Sequence, residues 1–270
     1  MKRGLIAGVI IMLMIPGIIA ATMVISQDTS GNKFVDSGNS LIITNGANLS
    51  GNVFVRGGTL IIEDNSIVTG DVFNKNLGVI NIKNSFITGD VSALTNKTRS
   101  VSIENSRIGG EINLLNGTLI ELRGNKINDG ITIMNFDRAI AVNNNVTGIL
   151  FFTDGNTVLS SNNNGTVGTT VARVKNDVGI FRNNLLKRIF VLDSGSVSIG
   201  ENNLGGEIIS RRNLLANIYS NSIGTNISSR NDSYVYITEN TVPTDLIITN
   251  PIIECFEFSN AVSGTNTGCP

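Results

Sequence analysis

Residues 65–72 read NSIVTGDV, residues 84–91 read NSFITGDV and residues 105–112 read NSRIGGEI. The three stretches share an Asn, a small polar residue, an aliphatic position and a Gly followed by an acidic residue. If the Asn is taken as a marker, the series runs through most of the chain, at positions 45, 65, 84, 105, 125, 144, 163, 183, 202, 221, 240 and 260. Every gap is 19, 20 or 21 residues. A fixed period of this length indicates a solenoid of stacked repeats.

Short strands lie on both sides of the marker. Residues 101–104 (VSIE) and 235–238 (VYIT) alternate aliphatic and polar side chains, so such a strand buries one face only. A second short strand follows the Gly, as in residues 71–73 (DVF) and 246–248 (LII). The sequence therefore predicts an all-β, single-stranded parallel β-helix of about 12 coils, 19–21 residues each, after an N-terminal apolar helix.

The marker Asn itself has a structural explanation. Asn enters left-handed backbone conformations more cheaply than most residues, and stacked Asn amides can hydrogen-bond from coil to coil. We therefore predict a structural Asn ladder formed by Asn65, Asn84, Asn105, Asn125, Asn144, Asn163, Asn183, Asn202, Asn221 and Asn240.

Composition restricts the possible functions. The chain is 41% hydrophobic and only 15% charged, with a net charge of -1, so no general attraction to nucleic acid is expected. It contains no His, which excludes a Ser-His-Asp triad and His-ligated zinc. We expect no cofactor other than a possible calcium ion, and no enzymatic activity.

The N-terminus indicates export. Lys2 and Arg3 precede an apolar run over residues 5–25, which is typical of a membrane-targeting segment. Two interpretations follow from the residues: a signal peptide cleaved after the Ala20-Ala21 region, or an uncut anchor, since the run is close to the ~20 residues that span a bilayer. A third follows from resemblance, because residues 2–6 (KRGLI) are similar to the cleavage site of archaeal type IV pilin-like precursors, whose apolar helix is retained in a filament.

The predicted domain organisation has four parts. Residues 1–25 are a signal peptide or membrane anchor, 26–39 a linker and N-terminal cap, 40–262 the β-helix and 263–270 a C-terminal tail or cap. Cys255 and Cys269 lie close together near the C-terminus, and an exported chain would allow them to form a disulfide. The alternative is one buried thiol and one in a frayed tail.

Two families share parts of the repeat. The motifs at residues 84–89 and 103–108 resemble the repeats of the pectin-lyase-like superfamily of right-handed β-helices. The Gly-Asp-Val and Gly-Glu-Ile steps at residues 70–72, 89–91 and 110–112 are similar to those of bactofilins, which polymerise end to end. Both resemblances imply a β-helical fold and leave the function open.

Asp71, Asp90 and Glu111 occupy the same place in three successive repeats and are expected to stack about 5 Å apart. Such a column could hold calcium or act on a glycosidic bond, or it could be an exposed acidic stripe without a ligand. Repeats of nearly constant length leave no room for long loops that would wall a cleft.

The leading functional prediction is an extracellular or cell-surface protein with a structural or adhesive role. Its expected partners are a cell-envelope glycan, matrix or further copies of itself, with membrane contact through residues 5–25 if they are uncleaved. The alternative is a polysaccharide-binding or polysaccharide-degrading β-helix that uses the acidic column, with or without calcium.

Overall fold

The computed structural model describes residues 11–12, 20–93, 98–165 and 167–269. These residues form a parallel β-solenoid of 13 coils, and each coil adds one strand to each of three sheets. The prediction of an all-β parallel β-helix is confirmed, with one coil more than expected. At the usual strand spacing of ~4.8 Å, 13 coils make a rod about 60 Å long.

The three sheets are numbered in the order in which a coil visits them. Sheet 1 contains Ala21–Ile25, Ser40–Ile43, Thr59–Ile62, Val79–Lys83, Thr98–Glu104, Gly117–Arg123, Arg138–Val142, Thr157–Ser161, Asp177–Phe181, Ser196–Gly200, Leu215–Tyr219, Tyr234–Thr238 and Glu254–Phe258. Sheet 2 contains Thr29–Ser30, Asn48–Ser50, Ile67–Val68, Phe86–Ile87, Arg107–Ile108, Lys126–Ile127, Asn145–Val146, Asn164–Gly165, Asn184–Leu185, Asn203–Leu204, Ser222–Ile223, Thr241–Val242 and Ala261–Val262. Sheet 3 contains Lys33–Asp36, Val53–Arg56, Val72–Asn76, Val91–Ala93, Ile112–Leu115, Ile131–Met134, Ile149–Thr153, Gly168–Ala172, Arg188–Leu192, Ile208–Arg211, Ile227–Arg230, Leu246–Thr249 and Asn266–Thr267. A further strand, Ile11–Met12, pairs antiparallel with Ala21–Ile25 at the edge of sheet 1.

The core is a column of aliphatic side chains enclosed by the three sheets. In the strand Leu215–Tyr219, for example, Ala216 and Ile218 point inward and are fully buried. The other three residues of the strand face outward. Pairing in register places equivalent residues of successive coils above one another, so each inward Ile, Val or Leu contacts its counterparts in neighbouring coils. Burial of this column provides the main stabilisation of the rod.

The coils turn at corners that contain residues in the left-handed conformation. Between sheets 1 and 2 these residues include Asn65, Asn84 and Asn105, with φ of 59°, 48° and 48°. Between sheets 3 and 1 they include Arg173 and Arg212, with φ of 52° and 53°. Asn tolerates this conformation well, whereas Arg adopts it at a cost that the surrounding coil contacts must offset.

The N-terminal prediction needs correction where the structure describes it. Ala21–Ile25 is not helical: it is the first strand of sheet 1 and pairs in parallel with Ser40–Ile43. β-branched residues favour a strand here, and Ile25 is buried under the next coil. The predicted linker at 26–39 already contains strands of sheets 2 and 3. Residues 1–10 and 13–19, on which the signal, anchor and pilin-like interpretations depend, lie outside the described residues.

Among the residues that the structure describes, no helix is long and apolar enough to cross a membrane.

Candidate ligand-binding face

The predicted acidic column lies at the corner between sheets 2 and 3 and has structural hydrogen bonds. Asp71 Oδ1 accepts the backbone N–H of Asp90 at 2.8 Å, and Asp90 Oδ1 accepts that of Glu111 at 2.9 Å. Asn52 continues the series, because its Oδ1 accepts the N–H of Asp71 at 2.8 Å. Asn52, Asp71 and Asp90 therefore each satisfy a backbone donor of the following coil, which would otherwise need another partner at this corner.

The glycine before each acidic residue follows from this ladder. A Cβ added to Gly89 would overlap Asp71 Oδ1, and one added to Gly110 would overlap Asp90 Oδ1. The Gly-Asp step thus keeps open the path of a side chain from the preceding coil. In the described part of the chain, no group of three or more His, Cys, Asp or Glu is arranged to hold a metal ion.

A buried Asn column runs along the corner between sheets 1 and 2. Its members are Asn125, Asn144, Asn163, Asn183, Asn202, Asn221 and Asn240, and Asn260 ends it. Each of the first seven donates from Nδ2 to Oδ1 of the next at 2.9–3.1 Å. Each also donates its backbone N–H to the same oxygen, so the eight coils from Asn125 to Asn260 share one hydrogen-bonded spine.

Asn65, Asn84 and Asn105 are not in this buried column. They occupy the left-handed corner position one residue earlier, and their side chains are exposed. The inward position in those coils belongs to the following serine: Ser106 donates its N–H to Asn125 Oδ1 at 2.9 Å. The repeated Asn therefore marks two adjacent structural positions, and the change occurs between the coils of Asn105 and Asn125.

A second buried polar column lies at the corner between sheets 3 and 1. The N–H of Ser194 donates to Asn213 Oδ1 at 2.8 Å, and the N–H of Asn213 donates to Asp232 Oδ1 at 2.7 Å. Asp232 is fully buried. Burial raises the pKa of the Asp232 carboxyl above its ordinary value, against the opposing effect of hydrogen bonds such as the one from Ser229 Oγ at 2.7 Å.

The last coil ends the rod with polar inward positions. Cys255 and Glu257 lie in register with the buried Val235 and Ile237 of the coil before them. Cys255 is bonded to Cys269, with Cα atoms 5.5 Å apart. Asn266 Nδ2 donates to Glu257 Oε1 at 2.8 Å. This coil therefore has a cross-link and a carboxylate at positions where the preceding coil has buried aliphatic residues.

The outer face of sheet 1 carries a concentration of aromatic side chains in its last five coils. They comprise all three tyrosines of the chain and three of its 11 phenylalanines: Phe181, Tyr219, Tyr234, Tyr236, Phe256 and Phe258. These residues alternate along their strands with less exposed, inward-facing residues, so their rings lie on the outside of the sheet. We call this set the aromatic face.

Contacts between the rings link the last two coils of the aromatic face. The ring centroids of Tyr236 and Phe256 are 6.3 Å apart, and those of Phe256 and Phe258 are 6.4 Å apart. Phe256 and Phe258 remain 49% and 60% exposed. The neighbouring Glu254 carboxylate raises the pKa of Tyr236 and places a charged acceptor beside the rings. Exposed rings next to polar groups suit a ligand with both apolar and hydroxylated surfaces.

A smaller aromatic stack occupies the outer face of sheet 3 at the other end of the rod. Phe34, Phe54 and Phe73 lie in successive coils with centroids 5.1 and 5.2 Å apart. The guanidinium of Arg56 lies 4.6 Å from the centre of the Phe34 ring. The sequence-based predictions included neither this stack nor the aromatic face. The spacings of 19 and 20 residues between aromatic positions could have revealed them.

The fold and these surfaces define a three-sheet parallel β-solenoid with aromatic lateral faces. No protein-family model, curated protein or solved structure matches the chain significantly.

Proposed function

We propose that this protein is an exported or surface-anchored structural and adhesive rod that binds an extended glycan of the cell envelope or matrix through the aromatic face. The observation that carries the proposal is that every tyrosine lies, together with exposed Phe256 and Phe258, on the outer face of sheet 1. Aromatic rings can pack against the apolar C–H faces of sugar rings, while Glu254 and the tyrosine hydroxyls serve as hydrogen-bonding groups. A flat sheet also suits a long polymer better than a small molecule.

Two features support the non-catalytic and extracellular parts of the proposal. The Oδ1 atoms of Asp71 and Asp90 are engaged by backbone donors, which leaves the acidic column with a structural task. The disulfide between Cys255 and Cys269 supports export, because such bonds persist in oxidising compartments. The apolar residues that precede the first strand of sheet 1, Ala21–Ile25, would then supply the targeting signal or anchor.

Self-association is a second candidate role, favoured by exposed aliphatic side chains near the aromatic face. Leu214, Ile252 and Ile253 are 59%, 66% and 63% exposed. Exposed apolar residues that cluster in this way are typical of protein contact surfaces. Sedimentation velocity over a range of protein concentrations distinguishes the two roles, since glycan binding requires no concentration-dependent dimer.

The family resemblances enter this proposal to different extents. The resemblance to pectin-lyase-like repeats is consistent with a β-helix that presents one sheet to a polysaccharide. We propose that this chain shares that architecture. The similarity to bactofilins is less useful, because the Gly-Asp step is accounted for by the corner ladder and Glu257 makes the last coil polar. The pilin-like resemblance is retained as one explanation of the N-terminal segment.

The test uses the intrinsic fluorescence of the protein. The chain has no Trp, and its three tyrosines all lie on the aromatic face, so a ligand bound there should change the tyrosine emission directly. We expect a saturable change with at least one member of a panel of soluble glucan, chitin, mannan and galacturonan oligosaccharides.

The decisive variant is Phe256→Ala, which removes an exposed ring but keeps all three fluorophores. We expect it to weaken binding about tenfold, which corresponds to ~1.4 kcal/mol. Phe151→Ala, on the outer face of sheet 3, is the matched control and should bind like the original protein. Equal affinity of Phe256→Ala and the original protein, or no saturable change with any glycan, would refute the aromatic face as a binding site.

A further inference from the structure

Two arginines lie side by side on the outer face of sheet 3, near the C-terminal end of the rod. Arg211 and Arg230 end consecutive strands and are paired in register. The residues before them, Ser210 and Ser229, are buried, so the arginine side chains point outward. Neighbouring parallel strands are ~4.8 Å apart, which places two positive side chains on adjacent positions of one surface.

Two arginines at the corner between sheets 3 and 1, unlike this pair, form ion pairs with carboxylates. Arg173 binds Asp154 with a shortest N–O distance of 2.6 Å, and Arg212 binds Asp193 equally closely. Among the described residues, neither Arg211 nor Arg230 is within ion-pair distance of a carboxylate.

The environment of Arg211 leaves one of its donors without a partner. Its Nε is buried and makes no hydrogen bond within the described residues, and its guanidinium lies over the Phe190 ring, 6.0 Å from the centroid. Arg230 is held from the other side, since its Nε donates to Thr249 Oγ1 at 3.3 Å. Two adjacent like charges without a carboxylate partner are unfavourable, and an anion bound by the outward ends of the two guanidinium groups would relieve this repulsion.

We propose that Arg211 and Arg230 form a binding site for an oxyanion group carried on a sugar, either a carboxylate or a sulfate ester. Guanidinium groups recognise such planar or tetrahedral oxyanions through paired N–H donors, and a single anion can bridge two of them. Tyr234 follows Arg230 by only four residues, so the site adjoins the aromatic face across one corner of the rod. The inference rests on the proposed function for the nature of the polymer, which it specifies as an acidic glycan.

The first experiment tests the site without a polymer. Sodium sulfate should raise the melting temperature of the full chain relative to sodium chloride at equal ionic strength. This difference should be smaller in the double variant Arg211→Gln, Arg230→Gln, which keeps only the general stabilising effect of sulfate. The matched control, Arg173→Gln with Arg212→Gln, changes the net charge equally but removes arginines that are already paired. An equal sulfate effect in the first double variant and the original protein would overturn the site.

The second experiment identifies the source of the oxyanion. Calorimetric titrations with galacturonan oligosaccharides, dextran sulfate and neutral dextran compare a carboxylate, a sulfate ester and an uncharged sugar. We expect one of the acidic glycans to bind the original protein at least tenfold more tightly than dextran does. The double variant of Arg211 and Arg230 should lose this preference. In the control double variant, the ratio of the two affinities should stay within twofold of that of the original protein. Equal losses in the two double variants would show non-specific attraction and overturn the proposal, as would the absence of any acidic preference.

The two proposals can fail separately. If Phe256→Ala weakens glycan binding while the double variant keeps its acidic preference, the aromatic face stands and the oxyanion site is refuted. If the double variant loses acidic glycan and sulfate binding while Phe256→Ala has no effect, the oxyanion site stands without the proposed role of the aromatic face.

Discussion

Replacing Asn144 by Ala tests how strongly the buried Asn column stabilises the solenoid. Asn144 Oδ1 accepts both the backbone N–H and the Nδ2 of Asn125 at 3.0 Å, and its own Nδ2 donates to the carbonyl of Leu122 at 2.9 Å. The change would leave these two donors and one acceptor without these partners in the interior. Each buried unsatisfied group costs about 1–3 kcal/mol, and the site can rearrange in part, so we expect the free energy of unfolding to fall by roughly 3–6 kcal/mol.

This loss is large against the ~5–15 kcal/mol that stabilises a typical domain. Urea unfolding followed by circular dichroism measures it, and amide hydrogen exchange at Asn125 localises it, because coils of a solenoid contact mainly their neighbours. The control is Asn145→Ala: the adjacent side chain is exposed, and its replacement should change stability by no more than ~0.5 kcal/mol. If Asn144→Ala lowers the free energy of unfolding by less than about 1 kcal/mol, water or neighbouring groups satisfy the freed atoms, and the column is not a major source of stability.

Two further substitutions test polar groups at the other corners. Asp232→Asn should become increasingly stabilising as the pH rises above ~4, because the raised pKa of Asp232 lets the unfolded chain release its proton first and the original protein then loses stability up to the folded pKa. Urea unfolding from pH 3 to 8 measures the stability of both proteins. A stability difference that does not change with pH would contradict the buried carboxyl. Gly89→Ala should destabilise the rod by about 1–3 kcal/mol through overlap with Asp71 Oδ1. In the Asp71→Ala background the same change should cost much less, and simple additivity in this double-mutant cycle would show that the two residues do not interact.

The repeat could be predicted from sequence because each coil contacts mainly its neighbours. Equivalent residues recur every 19–21 positions and must satisfy the same inward packing, which imposes an aliphatic and Asn pattern that a single chain displays. The first coil was missed for a physical reason. Ala21–Ile25 is as apolar as a membrane segment, and hydropathy alone does not distinguish an edge strand from the end of a helix.

The roles of the polar columns were harder to assign than their positions. A Gly-Asp step that binds calcium and one that supports a backbone ladder have the same sequence, and only the geometry shows Asp71 Oδ1 facing the N–H of Asp90. Likewise, Asn105 and Asn125 share the marker, yet one lies in a left-handed corner and the other is buried. A shift of one residue reverses the direction of a side chain without disturbing the period.

The polar inward residues of the last coil bear on where the rod could meet a partner. A solenoid can grow by adding a coil to an end or bind ligands along its sides. A further coil stacked on the last one would bury the Glu257 carboxylate, which now bonds to Asn266, and a buried charge without a paired partner is costly. The inward cross-link between Cys255 and Cys269 also interrupts the aliphatic column on which a new coil would pack. Growth at this end is therefore disfavoured. The binding that we propose is lateral instead: the aromatic face and the arginine pair both lie on the sides of the rod, within its last five coils.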